Sequence, residues 1–141
     1  MVTLGAPSSH TATINDDDSA VVNFAPAAVS QTEAISPMAF TVTLSNPVQS
    51  GVTLSVNSAL GTAGAADFTA ISGTVSFGAS STTAQAVNVI INNDLLDEND
   101  ETFGLTLSGL TATGNVTLGA SSATAQGNQV TWVAQRARDV R

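Results

Sequence analysis

The chain has 141 residues, of which 43% are hydrophobic and 10% charged, so it can form one domain with a buried core but hardly two. Its three basic residues all lie within the last six positions, and residues 1–135 carry ten acids with no Lys or Arg. Such a surface repels nucleic acid and anionic membranes, and no apolar run approaches the roughly 18 residues of a membrane span. We therefore expect a cation as partner, with no nucleic acid and no membrane insertion.

Apolar and polar residues alternate in several segments, a period of two that buries one face of a β-strand and exposes the other. In chain order these segments are FTVTLS from Phe40, VTLSV from Val52, GTVSF from Gly73, AVNVIIN from Ala86 and FGLTL from Phe103. Gly, Asn and Pro between them favour turns, and no segment before residue 132 has helical periodicity. We predict an all-β fold of roughly seven short strands, a two-sheet antiparallel sandwich closed over the five phenylalanines, Phe24, Phe40, Phe68, Phe77 and Phe103.

The stretch NNDLLDENDE, residues 92–101, holds five acids in eight positions, Asp94, Asp97, Glu98, Asp100 and Glu101. Carboxylates this crowded stay ionised at neutral pH most easily when a divalent ion neutralises them. Calcium takes roughly 6–8 oxygen ligands, magnesium keeps more of its water, and zinc or copper favour His or Cys. Because the chain has a single His and no Cys, the ligand types indicate calcium. The spacing of an EF-hand loop fails, so the site would be assembled from distant loops.

An internal repeat affects how the chain is divided. VTLGA occurs at residues 2–6 and again at residues 116–120, 114 positions later, and a Ser-rich segment follows each copy. A period of this length corresponds to one domain. We therefore predict that residues 1–18 are the last strand and acidic linker of a preceding repeat, that residues 19–128 are one complete domain, and that residues 129–141 are a tail outside the repeat. Tandem β modules form extended rods, which is typical of a mechanical rather than a catalytic role.

Several of these segments together carry a family resemblance. In chain order they are TATINDDD, AVVNF, VSQTE, FTVTLSNP, GTAGAADF, GTVSF, NDLLDENDETF and LTLS. This series resembles the Calx-beta domain, over residues 20 to about 126, and AADF and NDLLDENDETF are its most specific parts. That module is found in tandem in sodium/calcium exchangers, in an integrin subunit and in large bacterial surface and secreted proteins. The resemblance implies a seven-stranded immunoglobulin-like sandwich with calcium bound by loops at one end.

The same resemblance implies the metal ligands. Asp94, Glu98 and Glu101 match ligands in the loop between the fifth and sixth strands of the family. Asp67 in AADF matches a ligand from the middle of the unit, and Glu33 in VSQTE matches an early glutamate. We therefore expect a Ca²⁺ ion to be held by these five residues.

One part of the family pattern is missing. The family's final strand ends in an acidic run that completes the calcium site, whereas residues 126–128 read Gln-Gly-Asn. The matching run is Asp16, Asp17 and Asp18, which would serve the site of the preceding repeat or, in trans, that of another molecule. Residues 2–18 are accordingly expected to hang free or to add to a neighbouring chain by β-strand exchange.

Three functions compete. The sequence favours a non-catalytic calcium-binding module of a repetitive extracellular or cell-surface protein, in which Ca²⁺ rigidifies the domain or its junction with neighbouring repeats. The second function keeps the fold without the metal, as a structural spacer or adhesion repeat with a degenerate calcium site. The third, an enzyme or a carbohydrate-binding domain, needs acid/base pairs in a cleft or an aromatic platform. A chain with no Tyr and one Trp hardly supports it.

Overall fold

Within residues 1–96 and 98–128, which the computed structural model of the protein describes, the chain forms nine β-strands and no helix. The strands are β1 (Ala20–Phe24), β2 (Ala28–Thr32), β3 (Met38–Leu44), β4 (Val52–Leu60), β5 (Ser72–Phe77), β6 (Gln85–Val89), β7 (Glu101–Ala112), β8 (Val116–Leu118) and β9 (Ser122–Asn128). Asp97 and the predicted tail at residues 129–141 lie outside the described part of the chain. No helix in that part has the length and apolarity needed to cross a membrane.

The strands form two sheets that face each other. One sheet has the order β6-β3-β1-β8, and the other has the order β2-β9-β7-β4-β5. Most neighbours are antiparallel, as in the pairing of Val22 with Leu44 between β1 and β3. The predicted all-β sandwich is confirmed, but the described residues form nine strands instead of seven, and two of the pairings are parallel.

The extra strands arise because the first and last strands each change sheet halfway along. β1 pairs with β8 in one sheet, and β2 pairs with β9 in the other, in one continuous parallel register. Pro26 separates β1 from β2, since proline has no N–H for the ladder. Between β8 and β9, the backbone N–H of Ala120 donates to the side-chain oxygen Oδ1 of Asn23 at 2.7 Å. A Cβ atom on Gly119 would lie 2.1 Å from the same Asn23 oxygen, so a larger residue at this crossing would displace the Asn23 side chain.

The alternating residues predicted to face inward form the core. Phe40, Val42 and Leu44 of β3 are buried, and so are the corresponding apolar residues of β4, β5, β6 and β7. All five phenylalanines are buried as predicted. Phe24 contacts Phe40 edge to face, and Phe40 contacts Phe103 in the same way, with ring centroids 6.3 and 6.4 Å apart. The aromatic side chains therefore run through the sandwich toward the beginning of β7.

The loops divide between two ends of the sandwich. One end of the sandwich carries the β2–β3 loop (residues 33–37), the β4–β5 loop (residues 61–71) and the β6–β7 loop (residues 90–100). We refer to it as the acidic end. The far end is where β1 begins and where the β7–β8 turn lies. Residues 1–19 are exposed and form no strand within this chain. The prediction that they belong to a preceding repeat stays a prediction.

Candidate metal site

Three carboxylates from two loops meet at the acidic end. Asp67 ends the tight part of the β4–β5 loop, Glu98 lies in the β6–β7 loop, and Glu101 is the first residue of β7. Each of them offers a carboxylate oxygen within 4.8 Å of the oxygens of the other two, and each is half-buried. The two most specific parts of the sequence, AADF and NDLLDENDETF, therefore supply one group of oxygens although they are about 30 residues apart.

The backbone of the β4–β5 loop orients the Asp67 side chain. Asp67 Oδ2 accepts the N–H of Gly64 at 2.5 Å, which fixes the orientation of the carboxylate. The next residue, Phe68, is buried and pairs with Ile91 through an isolated β-bridge. The Phe68 ring stacks on Phe103 with centroids 4.3 Å apart, so Asp67 sits directly above the aromatic core. The sequence predicts Asp67 as a ligand in this stretch but does not predict this role of Gly64.

A small cavity lies beside Asp67 and Glu101, two of the three carboxylates. Its volume is about 20 Å³, and it is lined by Glu33, Ala63, Asp67, Phe68, Ile91, Glu101, Phe103 and Gly127. A space of roughly 10–15 Å³ is enough for one water-sized occupant. Within the described residues, the buried Oε2 atom of Glu101 has no hydrogen-bond partner. A buried carboxylate oxygen is costly when nothing compensates it, so this cavity suits a cation.

The electrostatics of the cluster agree with its geometry. Burial raises the pKa of Glu101 above its usual value, and a hydrogen bond with Asp67 and the negative charges of Asp67, Glu98 and Glu33 raise it further. Burial also raises the pKa of Glu98, and the charges of Asp67, Asp94 and Glu33 act in the same direction. Two carboxyl groups can share a hydrogen bond only when one of them holds a proton. A divalent cation would take the place of that proton.

The other two predicted ligands lie near this group but outside it. Glu33 follows β2, is 8% exposed and lines the cavity. Asp94 is exposed, and its Oδ1 accepts the N–H of Leu96 at 2.8 Å, which shapes the turn of the β6–β7 loop. Asp100 is exposed, and its Oδ2 accepts a hydrogen bond from Gln126 at 3.2 Å. The structure therefore brings Asp67, Glu98 and Glu101 together, and it places Glu33 against the same cavity.

The acidic run at residues 16–18 lies at the far end. Asp16 and Asp18 line an open concavity of about 430 Å³ together with residues that flank the β7–β8 turn. β9 ends at the acidic end, where Gly127 pairs with Glu101, and no carboxylate occurs at residues 126–128. Within one molecule the run of aspartates is therefore remote from the Glu101 cluster.

Comparison with known proteins identifies the family. The family model described as the Calx-beta domain matches residues 15–129, which is most of the chain. The chain belongs to the Calx-beta family. No curated protein sequence matches it.

Solved structures place this Calx-beta domain among similar folds. The apo-form Calx CBD1 domain is similar with a TM-score of 0.73 and 19% identity, over 79% of this chain and 98% of that one. The Calx CBD2 domain is similar with a TM-score of 0.73 and 10% identity, over 85% and 93% of the two chains. The calcium binding domain CBD12 of CALX1.1 is similar with a TM-score of 0.68 and 20% identity, over 77% of this chain and 44% of that one. At these identities the likeness establishes the fold, and this chain spans less than half of the CBD12 chain.

Proposed function

We propose that this Calx-beta domain is a non-catalytic calcium-binding module whose ion is held by Asp67, Glu98 and Glu101, with Glu33 beside it. The observation that carries the proposal is the buried Glu101 oxygen without a hydrogen-bond partner, at the edge of a cavity large enough for one ion. The structurally similar CBD12 of CALX1.1 is a calcium binding domain, which supports the proposal. Asp94 lies close enough to act on the charge of Glu98 and is a further ligand in the proposal.

The donor set explains the choice of calcium. All candidate ligands are carboxylate oxygens, and the chain has no Cys and a single His, which lies in the exposed N-terminal segment. Ca²⁺ accepts roughly 6–8 oxygens in flexible geometry at about 2.3–2.6 Å, whereas Mg²⁺ requires a near-ideal octahedron. Three half-buried carboxylates on two loops are an irregular set, which suits the larger ion. The remaining positions are open to backbone oxygens and water.

The proposed mechanism is electrostatic. Without the ion, Asp67, Glu98 and Glu101 repel one another once all three are ionised, so the β4–β5 and β6–β7 loops lose stability. With the ion bound, the same three carboxylates are attracted to it, and both loops are held at the beginning of β7. Binding to the folded state alone adds about 2.7 kcal/mol of stability at a hundredfold excess over the dissociation constant.

We further propose that the domain is one repeat of an extracellular or cell-surface array. The repetition of VTLGA after 114 residues supports this, because residues 2–6 have the sequence of β8 and the residues beyond it. If residues 1–18 end a preceding repeat as β9 ends this one, the acidic end of that repeat faces the far end of this domain. Asp16, Asp17 and Asp18 would then lie beside the preceding repeat's ion and rigidify the junction.

The alternative function is a metal-free spacer or adhesion repeat with a degenerate site. The specific observation in its favour is the lack of carboxylates at residues 126–128, beside the cavity that Gly127 lines. Calcium-independent thermal stability would support this alternative.

Isothermal titration calorimetry of the chelator-stripped protein with CaCl₂ tests the proposal. We expect saturable binding that excess MgCl₂ does not reproduce and that Glu101→Gln abolishes. The matched control is Asp100→Asn, because Asp100 is an adjacent exposed acid in the same loop and its substitution removes the same charge. Absence of binding up to millimolar calcium in a folded β protein would refute the proposal and favour the spacer. Equal loss of binding in both variants would show that only the total charge matters.

A further inference from the structure

The loops that carry the carboxylates are attached to each other at two points. The first point joins the beginning of the β4–β5 loop to β7. Thr62 Oγ1 accepts the backbone N–H of Thr102 at 2.8 Å, and the two hydroxyl oxygens are 3.3 Å apart. The N–H of Ala63 donates to the carbonyl oxygen of Thr102 at 2.9 Å. Thr102 directly follows Glu101, so these bonds lie one residue from a carboxylate of the cluster.

The second point joins the end of the same loop segment to the beginning of the acidic stretch. The backbone N–H of Asn92 donates to the carbonyl oxygen of Asp67 at 2.9 Å. The side-chain Nδ2 of Asn92 donates to the carbonyl oxygen of Ala66 at 2.8 Å. Both ends of the β6–β7 loop are therefore attached to one short segment, residues 62–67.

Thr62 has a particular place in this arrangement. From Ser55 onward, β4 pairs with β7 in a continuous register as far as Leu60 and Phe103. The next residue, Gly61, lies so close to β7 that a Cβ atom would be 2.2 Å from the carbonyl oxygen of Thr102. The regular ladder ends there, and the hydroxyl of Thr62 supplies the acceptor for the Thr102 N–H. A side chain therefore continues the contact between the two strands at the position where Glu101 enters the cluster.

We propose that Thr62 is a positioning residue of the calcium site, whose hydroxyl holds the loop of Asp67 against the beginning of β7 and so fixes the separation of the Asp67 and Glu101 carboxylates. The inference rests on the proposed calcium function. When both carboxyl groups are ionised and no ion is bound, like charges within 4.8 Å of each other move apart. The hydrogen bond of Thr62 holds the two carboxylates together before the ion binds, so binding does not have to rearrange the loops. This is preorganisation of the site. Thr62 itself is exposed and does not belong to the group of carboxylates.

The test compares Thr62→Val, which removes the hydroxyl at nearly constant shape, with Thr62→Ser, which keeps it. Calorimetry of the full chain with CaCl₂ gives the dissociation constant, and urea unfolding of the calcium-free protein gives the stability. The matched control is Ser45→Ala, because Ser45 Oγ accepts the N–H of Val21 at 2.9 Å, also on the surface but at the far end. Each variant thus changes or removes one exposed hydroxyl that accepts a backbone hydrogen bond.

We expect Thr62→Val to raise the dissociation constant about two- to tenfold, the equivalent of one net hydrogen bond. Thr62→Ser and Ser45→Ala are expected to stay within about twofold of the parent protein. Parent affinity in Thr62→Val, or an equal loss in Thr62→Ser, would overturn the inference, because a merely structural hydroxyl changes stability and leaves affinity unchanged. If the parent protein binds no calcium, the proposed function fails and this inference fails with it. If only the Thr62→Val result is contrary, the proposed function stands.

Discussion

Phe68 connects the core to the candidate metal site, and its replacement by alanine gives a prediction with two readouts. The side chain is 2% exposed, and its ring lies nearly parallel to that of Phe103, at 18° and 4.3 Å between centroids. Phe68 lines the cavity, and the preceding residue is Asp67. Phe68→Ala therefore removes packing from the core and support from a ligand at the same time.

The magnitude follows from what surrounds the ring. Replacing a buried Phe by Ala costs about 3–5 kcal/mol of stability, because the cavity left behind adds its own cost to the lost transfer free energy of the removed atoms. Stacked aromatic pairs contribute about 0.5–1.5 kcal/mol beyond their buried area. We expect a value in the upper part of the first range, because the loss of the stacked contact with Phe103 adds to the cost of the cavity. Against a total of about 5–15 kcal/mol the protein stays folded or nearly so, and Phe68→Leu is the milder variant.

Urea unfolding followed by circular dichroism measures the loss, and calorimetry measures calcium binding. Phe77→Ala is the matched control, because Phe77 is equally buried at 2% but lies at the end of β5 near the far end. Both substitutions are expected to destabilise, whereas only Phe68→Ala should weaken calcium binding, by about tenfold or 1.4 kcal/mol. Equal calcium affinity in the two variants, or a stability loss below about 1 kcal/mol for Phe68→Ala, would refute the reasoning.

Three further predictions concern pH, backbone contact and the N-terminal aspartates. Because the pKa values of Glu98 and Glu101 are raised in the folded state, the calcium-free folded protein binds more protons than the unfolded chain just above the usual glutamate pKa. Its unfolding free energy should therefore fall as the pH rises above about 4.5, and thermal melts should show no such fall for Glu98→Gln/Glu101→Gln. Gly61→Ala places a Cβ 2.2 Å from a backbone oxygen of β7 and should cost about 1–3 kcal/mol in urea unfolding. Gly73→Ala, whose Cβ would meet its nearest atom at an ordinary contact distance of 4.0 Å, should not. Replacing Asp16–Asp18 by asparagine should leave calorimetric calcium affinity unchanged in dilute protein, and a weakened, concentration-dependent affinity would instead indicate binding in trans.

The strands that fill the core could be predicted from sequence because they are buried on one face only. FTVTLS and FGLTL alternate strictly, and the structure buries each apolar residue that the pattern assigned to the interior. β2 and β8 gave no comparable pattern. β2 is an edge strand whose residues are exposed or half-buried, and β8 has three residues. The division of the first and last strands between two sheets depends on Pro26 and on the contact of Asn23 with Gly119, which only the tertiary structure brings about.

The candidate site, too, could be predicted from the sequence only in part. The acids were found because charge density in NDLLDENDETF is visible in sequence, and the structure brings Asp67, Glu98 and Glu101 to one place. That these residues bind calcium stays a prediction. The attachments made by Thr62 and Asn92 were not predicted, because single polar residues in loops have no distinctive pattern and their partners lie 26 to 40 residues away.

The most direct test of the account is a crystal structure of the full chain grown with CaCl₂, with anomalous scattering recorded at long wavelength. We predict an anomalous peak at the acidic end, about 2.3–2.6 Å from carboxylate oxygens of Asp67, Glu98 and Glu101. Well-ordered density for these side chains with no peak among them, in crystals that contain calcium, would contradict the central claim.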